Sequence, residues 1–145
     1  MTEAFGIIES QEAKVAKMSQ DRSHYWIDLA EYDMETAKAM LAAGRHLYVG
    51  FLCHQTIEKT LKAVIAKDGT IPPPIHNLNR LADLGRLSAD LSQERNDFID
   101  ALSPLNIEAR YPVDKNKLLG ILTEKYCRGI ISQTEDLMTW IKYRL

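Results

Sequence analysis

Residues 47–67, LYVGFLCHQTIEKTLKAVIAK, decide the fold, because they predict a helix with apolar side chains on most of its surface. One apolar arc repeats at helical spacing: Cys53, Ile57, Leu61, Val64 and Ile65. The opposite side carries residues that are small or apolar: Val49, Leu52, Thr56 and Ala63. A helix of this kind is covered on most sides, so we expect it at the centre of a helical bundle.

One narrow sector of this helix is polar. With His54 as the origin and a rotation of about 100° per residue, Glu58 lies at about 40°, Lys62 at about 80° and Gln55 at about 100°. Glu58 and Lys62 also have the i, i+4 spacing of an ion pair that stabilises a helix. The polar strip therefore has two interpretations, an intrahelical salt bridge or the lining of a cleft between helices.

The preceding helix is predicted from about Asp21 to Ala43, with Gly44 as its C-cap. Asp33 falls in the middle of the apolar face of that helix, where an unpaired charge is costly. We expect Asp33 to form a salt bridge to a neighbouring helix, with a role in a site as the alternative. Residues 1–18 are predicted to be an N-terminal extension or a short helix, and residues 19–145 to form the folded bundle.

Three more segments complete the predicted bundle. The proline-rich stretch at residues 67–81, KDGTIPPPIHNLNRL, predicts a stiff loop with His76 at the entrance of a short helix over residues 77–88. A helix over residues 92–110 contains Pro104, which should kink or break it. Arg110 and Tyr111 then project from a turn before Pro112, and a long last helix runs from about Asp114, its N-cap, to Tyr143. No sustained alternation of a strand occurs, so the predicted class is all-α.

Composition excludes several kinds of protein. A length of 145 residues fits one domain, and a net charge of −2 provides no general attraction to nucleic acid or anionic lipid. No run of 18 apolar residues predicts a membrane span. Cys53 and Cys127, the two cysteines, lie in apolar surroundings, which favours a reduced, cytoplasmic protein with packed thiols.

The common cofactor and metal motifs do not occur. The sequence has no glycine-rich phosphate loop, no CxxC, no HExxH and no Glu-x-x-His pair, so we expect neither a cofactor nor a metal. What remains are polar residues on helical faces and at helix ends: Asp33, His54, Gln55, Glu58, Lys62, His76, Arg110 and Tyr111. Arg110 is the candidate for binding phosphate, since a guanidinium forms two parallel hydrogen bonds to it.

The sequence resembles the HEPN domain family, small helical proteins of prokaryotes that occur alone or beside a minimal nucleotidyltransferase. The resemblance rests on HQTIEKTLKAVI at residues 54–65, on PPPIHNLNRL at residues 72–81 and on EARYP at residues 108–112. It implies an up-and-down bundle of four to five helices that forms a homodimer. It also implies a cleft at the dimer seam, lined by the second helix and by the end of the fourth.

Many members of this family are metal-independent RNases, often toxins silenced by the nucleotidyltransferase partner, and they use an arginine followed four to six residues later by a histidine. Here no histidine follows His76, so Arg110 lacks that companion. Three hypotheses result: a toxin–antitoxin or nucleotidyltransferase-associated protein that binds a partner or a nucleotide through the polar cleft, an RNase toxin with a non-standard active site that includes Arg110, and a helical dimerisation module without a ligand.

Overall fold

The computed structural model describes residues 2–110 and 115–145, with side chains from residues 10 to 106 and from 115 onward. Six α-helices form: α1 (Thr2–Ala42), α2 (His46–Lys67), α3 (Leu78–Leu84), α4 (Gln93–Arg110), α5 (Lys115–Ile121) and α6 (Glu124–Lys142). One turn of 3₁₀-helix spans Ser88–Asp90, and no strand occurs in the described ranges. The predicted all-α bundle is confirmed. None of these helices contains an apolar stretch long enough to cross a bilayer.

Helix α2 lies at the centre of the bundle, as its apolar surface predicts. Sixteen of its 22 residues are buried, and α1, α3, α4, α5 and α6 all pack against it. Cys53, Ile57 and Leu61 form the middle of the core and are at most 1% exposed. Every other described helix is therefore positioned by its contact with α2.

Helix α1 packs closely against α2 because its inner face carries small residues. Ala30 and Ala37 are fully buried, and the Ser23 hydroxyl donates a 2.9 Å hydrogen bond to the carbonyl of Ala63. The helix ends at Ala42, and Gly44, two residues later, has a φ of +71°, which suits glycine. From there a short turn leads into α2.

The start of α1 differs from the prediction, since the helix begins at Thr2 and not near Asp21. Residues 2–20 contain no proline, so the helix can extend toward the N-terminus even though few of these residues have the spacing of a core-facing stripe. At 1.5 Å per residue α1 is about 60 Å long and α2 about 33 Å long, so the N-terminal part of α1 projects past the end of α2. A separate N-terminal unit over residues 1–18 stays a prediction.

Helix α4 begins at a serine cap and continues through its proline. The Ser92 hydroxyl accepts a 3.2 Å hydrogen bond from the backbone N–H of Arg95, so Ser92 is the cap. Pro104 was expected to kink or break the helix, yet it lies inside the continuous α4. Pro104 has no backbone N–H, so the carbonyl of Asp100, four residues earlier, lacks its helical hydrogen-bond donor. Both residues are exposed, and water can hydrate that carbonyl.

The predicted last helix is in fact two helices. Helix α5 ends at Ile121, and α6 starts after Thr123, whose hydroxyl accepts a 3.2 Å hydrogen bond from the N–H of Tyr126. The single long helix was wrong because apolar spacing continues through Leu122 and conceals the new cap. The predicted cap Asp114 lies outside the described residues.

Helices α1 and α6 run antiparallel and are joined at their surface by ion pairs. The ammonium of Lys38 lies 2.6 Å from the carboxylate of Glu135, and the ammonium of Lys142 lies 2.6 Å from that of Glu31. These partly exposed pairs fix which side of α1 faces α6 and add little stability.

Two helical glycines provide a matched test of the close contact between α2 and α4. A Cβ at Gly50 would lie 2.8 Å from Cδ1 and 3.3 Å from Cβ of Leu105, whereas a Cβ at Gly129 would meet nothing within 4 Å. We expect Gly129→Ala to stabilise by about 0.5–1 kcal/mol through helix propensity. Gly50→Ala should instead destabilise by about 1–3 kcal/mol, because Leu105 must move in a packed core. Urea unfolding of both variants measures the difference, and equal shifts would contradict the packing argument.

Candidate functional site: a polar cluster between α1 and α4

Glu58, in the middle of α2, is the centre of a buried group of polar contacts and is only 3% exposed. Its Oε1 lies 2.9 Å from Nδ1 of His76 and 3.9 Å from Nδ1 of His54. Its Oε2 accepts a 3.2 Å hydrogen bond from the ammonium of Lys62. Both carboxylate oxygens therefore have nitrogen-bearing partners, which offset the cost of removing the charge from water.

Lys62 connects this group to α1. Its side chain is 6% exposed, and its ammonium lies 5.5 Å from the centre of the Trp26 ring. A cation above an indole ring gains electrostatic stabilisation from the π system. The long aliphatic stem of Lys62 can pack against the same ring.

Gln55, on the same polar strip of α2, forms a separate contact with α4. Its side-chain amide donates a 2.9 Å hydrogen bond to Oδ1 of Asn106, and both residues are buried. The sequence-based prediction missed Asn106. Its spacing from Ile99 and Leu102 already placed it on the buried face of α4, and a polar residue at such a position needs a partner.

These contacts define what we call the polar cluster, which lies along the seam between α1 and α4. Its members are Trp26, His54, Gln55, Glu58, Lys62, His76 and Asn106. Helices α1 and α4 both pack on α2, and they border its polar strip through Trp26 and Asn106 respectively. The structure thus joins His54, Glu58 and Lys62 of the predicted α2 strip to His76, while Gln55 pairs separately with Asn106.

The proline-rich loop places His76 over the cluster. Asn77 caps α3, since its Oδ1 accepts a 3.0 Å hydrogen bond from the N–H of Arg80, and this fixes the loop at the residue after His76. His76 therefore contributes a hydrogen bond from the loop, and Asn77 caps the helix. Its side chain is 51% exposed while Glu58 below it is buried. It is the part of the cluster that a molecule in solution can reach most easily.

Asp33 is a partner of Lys59 and lies apart from Glu58. The two side chains form an ion pair between α1 and α2, the kind of salt bridge expected from the sequence. Lys59 follows Glu58 by one residue, so it points about 100° away from it around α2. The contact accounts for a carboxylate on the apolar face of α1.

Arg110 and Tyr111 are not placed in the site by the structure. Arg110 ends α4, four residues after Asn106, but its side chain and the whole of Tyr111 lie outside the described residues. A spacing of four residues puts Arg110 one helical turn beyond Asn106 on α4. Its participation in the cluster stays a prediction.

Neither metal binding nor thiol chemistry is supported by the described side chains. Among them no three His, Cys, Asp or Glu residues converge as metal ligands. Both cysteines are free and buried, and burial raises the pKa of the Cys53 thiol to about 12 and that of Cys127 to about 11. At neutral pH both are protonated and are poor nucleophiles.

A groove lies elsewhere in the described residues, between α4 and α6. It has a volume of about 450 Å³, a floor that includes Leu102 and Ile130, and a rim that includes Tyr126 and Lys125. It is mainly apolar and contains no member of the polar cluster. Titratable groups converge in the polar cluster, so we regard that cluster as the candidate site.

The fold and the central polar helix define a helical-bundle protein whose family can be identified from its sequence. Residues 23–144 match the family model described as HEPN domain, and the chain belongs to the HEPN domain family. A comparison with curated proteins found no match. Among solved structures, the chain is similar to TT1696 from Thermus thermophilus, with a TM-score of 0.74 and 17% identity, over 86% of this chain and 98% of that one. At that identity the likeness establishes a shared fold.

The buried ion pair gives a stability prediction. Glu58→Gln leaves the buried Lys62 ammonium without its counter-charge, so we expect the free energy of unfolding to fall by about 3–5 kcal/mol. Lys62→Met in the same chain should restore a large part of that loss, because it removes the uncompensated charge. Glu124→Gln is the matched control: Glu124 and Arg128 also pair at i, i+4 but are exposed, so little should change. Chemical denaturation measures all three, and equal effects of Glu58→Gln and Glu124→Gln would refute the burial argument.

Proposed function

We propose that this HEPN protein binds a nucleotide or a short RNA at the polar cluster, with His76 as the group that meets the phosphate. The observation that carries the proposal is the pairing of a half-exposed imidazole with a buried carboxylate. A carboxylate accepts but does not donate, so Glu58 favours the proton on Nδ1 and leaves Nε2 for a ligand. In the imidazolium form both ring nitrogens carry a proton, so Nε2 donates a charge-assisted hydrogen bond to a phosphate oxygen while Nδ1 stays paired with Glu58.

Other members of the cluster fix this imidazole. Glu58 is itself held by Lys62, and the loop before α3 is held by the Asn77 cap. A ligand group whose orientation is set in advance loses less entropy on binding. Arg110, one turn beyond Asn106 in α4, is the proposed second phosphate ligand, on the strength of sequence spacing and guanidinium chemistry.

Binding is tested by titrating AMP, ATP, GTP and a labelled oligoribonucleotide into the purified chain by calorimetry or fluorescence. We expect His76→Ala to weaken binding by about 10–100-fold, the equivalent of one hydrogen bond to a charged group. His24→Ala is the control: His24 is exposed and lies about 160° around α1 from Trp26. Unchanged affinity in His76→Ala, or no binding of any of these ligands, would refute the proposal.

Metal-independent RNA cleavage is a second candidate function, and the same carboxylate–imidazole pair favours it. A histidine oriented by a carboxylate has the arrangement of a general base, here for the proton of a ribose 2′-hydroxyl. The resemblance implies a histidine four to six residues after the arginine, and no histidine follows Arg110. His76 would supply the imidazole in its place. Arg110 would stabilise the charge that develops on the phosphate.

Cleavage is tested with labelled RNA in the presence of EDTA. We expect activity to fall by at least about 100-fold in His76→Ala, the lower range for loss of a general base, and to fall also in Arg110→Ala. His24→Ala again serves as the control, and circular dichroism checks that each variant is folded. If the unmodified chain binds RNA but does not cleave it, the cleavage proposal is refuted and the binding proposal is not.

Membership of the HEPN family also supports a proposal about partners. We propose that the chain belongs to a toxin–antitoxin or related system with a minimal nucleotidyltransferase as its partner. Co-expression with the nucleotidyltransferase of a neighbouring gene, followed by co-purification, tests this pairing separately from ligand binding.

A further inference from the structure

Two arginines from different segments of the chain meet at one tryptophan. The guanidinium carbon of Arg144 lies 3.5 Å from the centre of the Trp140 ring, and that of Arg95 lies 5.1 Å from it. Arg95 is in the first turn of α4, Trp140 is near the end of α6, and Arg144 follows that end. The π system of the indole attracts both cations. We call these three residues the Trp140 cluster.

Contacts with the rest of the protein orient the Trp140 cluster. The partly buried indole packs against the hydrophobic core. A guanidinium nitrogen of Arg144 donates a 3.1 Å hydrogen bond to the carbonyl of Trp140. A guanidinium has five N–H donors in a fixed plane, so this bond leaves most of them for other partners. Arg144 is exposed and Arg95 is half-buried, so a molecule in solution can reach both.

The two guanidinium groups lack an ion-pair partner among the described side chains. By contrast, the surface cations Lys38, Lys142 and Arg128 each pair with a glutamate. Because Arg95 and Arg144 approach the same ring, they are also close to each other, and their charges repel. An anion in contact with both would offset that repulsion and accept charge-assisted hydrogen bonds. The arrangement therefore favours an anionic ligand.

Two carboxylates border the cluster on one side. Glu94 and Asp136 line a depression of about 130 Å³ between α4 and α6, to which Arg95 also contributes. Both acidic residues are exposed, so water screens their charges. We therefore expect an anion to approach Arg95 from the side of Arg144, away from this depression.

We propose that the Trp140 cluster binds a phosphoryl group with two negative charges, either inorganic phosphate or the terminal phosphate of a small molecule. Two cations match a dianion, and its oxygens can accept hydrogen bonds from two planar guanidinium groups at once. A carboxylate has a single charge, which one guanidinium satisfies. Arg95 precedes Asn106 by eleven residues, or about 16 Å along α4, so this site is separate from the polar cluster. The inference does not depend on the proposed function.

Nuclear magnetic resonance of the indole N–H groups tests the site, because the chain has two tryptophans and each belongs to a different cluster. Trp26→Phe assigns the two signals. Titration with inorganic phosphate should shift the signal of Trp140, and sodium chloride at the same ionic strength should not. No shift, an equal shift with chloride, or a shift of the Trp26 signal alone would overturn the proposal.

Conservative variants separate a built site from general attraction between charges. Arg95→Lys and Arg144→Lys keep the positive charge but remove the planar group, so each should weaken phosphate binding by about 10-fold. Arg128→Lys is the matched control, since Arg128 is an exposed arginine of α6 that pairs with Glu124. Circular dichroism checks that each variant is folded. Unchanged affinity in the first two variants, or an equal loss in the control, would refute the site.

Three nucleotide probes identify the source of the phosphoryl group. AMP should shift the Trp140 signal and adenosine should not, because adenosine has no phosphate. Tighter binding of AMP than of inorganic phosphate would indicate a nucleotide, and equal binding would indicate the phosphoryl group alone. An oligoribonucleotide without a terminal phosphate carries one charge per phosphate and should bind more weakly at Trp140 than AMP. Equal or tighter binding of that oligoribonucleotide would refute selection of a dianion.

Discussion

The burial of one ion pair in the central helix constrains the rest of this structure. Glu58 and Lys62 are 3% and 5% exposed, and neither can be tolerated there without partners. Each partner comes from a different element, because the charges lie in a seam that several elements border. Trp26 comes from α1 and His76 from the loop before α3, and neighbouring Gln55 binds Asn106 of α4. Misplacing any of these elements would leave a polar group unsatisfied, so the cluster selects one arrangement of the bundle.

Burial also divides the cluster into an inner and an outer part with different chemistry. The inner part is the buried pair of Glu58 and Lys62. The attraction between these two charges is strong because the protein interior screens it weakly. The outer part is His76, which meets solvent while its Nδ1 stays attached to Glu58. A ligand at the imidazole therefore interacts indirectly with the buried charges. In the proposed function, the histidine comes from a different segment of the chain than Arg110, and the arginine–histidine spacing implied by the resemblance would not be required.

Helical periodicity explains which parts of the site the sequence could predict. His54, Glu58 and Lys62 occur at intervals of four, so their common face follows from the geometry of a single helix. The cost of burying an unpaired carboxylate predicts that Asp33 has a cationic partner on another helix. That cost does not say which residue the partner is, so Lys59 could not be identified from the sequence. The spacing of Asn106 placed it on the buried face of α4, but only the packing of α4 on α2 identifies Gln55 as its partner. Boundaries were harder to predict than faces, for a similar reason. The apolar spacing through Leu122 is the same whether one helix or two are present, and only the hydroxyl of Thr123 marks the change.

Helix α1 takes part in the same constraint through Trp26. The Trp26 ring faces the ammonium of Lys62, and the exposed Tyr25 packs edge-on against Trp26 with ring centres 5.9 Å apart. Lys62 donates a hydrogen bond to Glu58, and the other oxygen of Glu58 contacts Nδ1 of His76. A series of direct contacts therefore joins the surface of α1 to the exposed imidazole across the buried ion pair. In the proposed function, a ligand that restricts His76 would also restrict Trp26, and this linkage would be reciprocal.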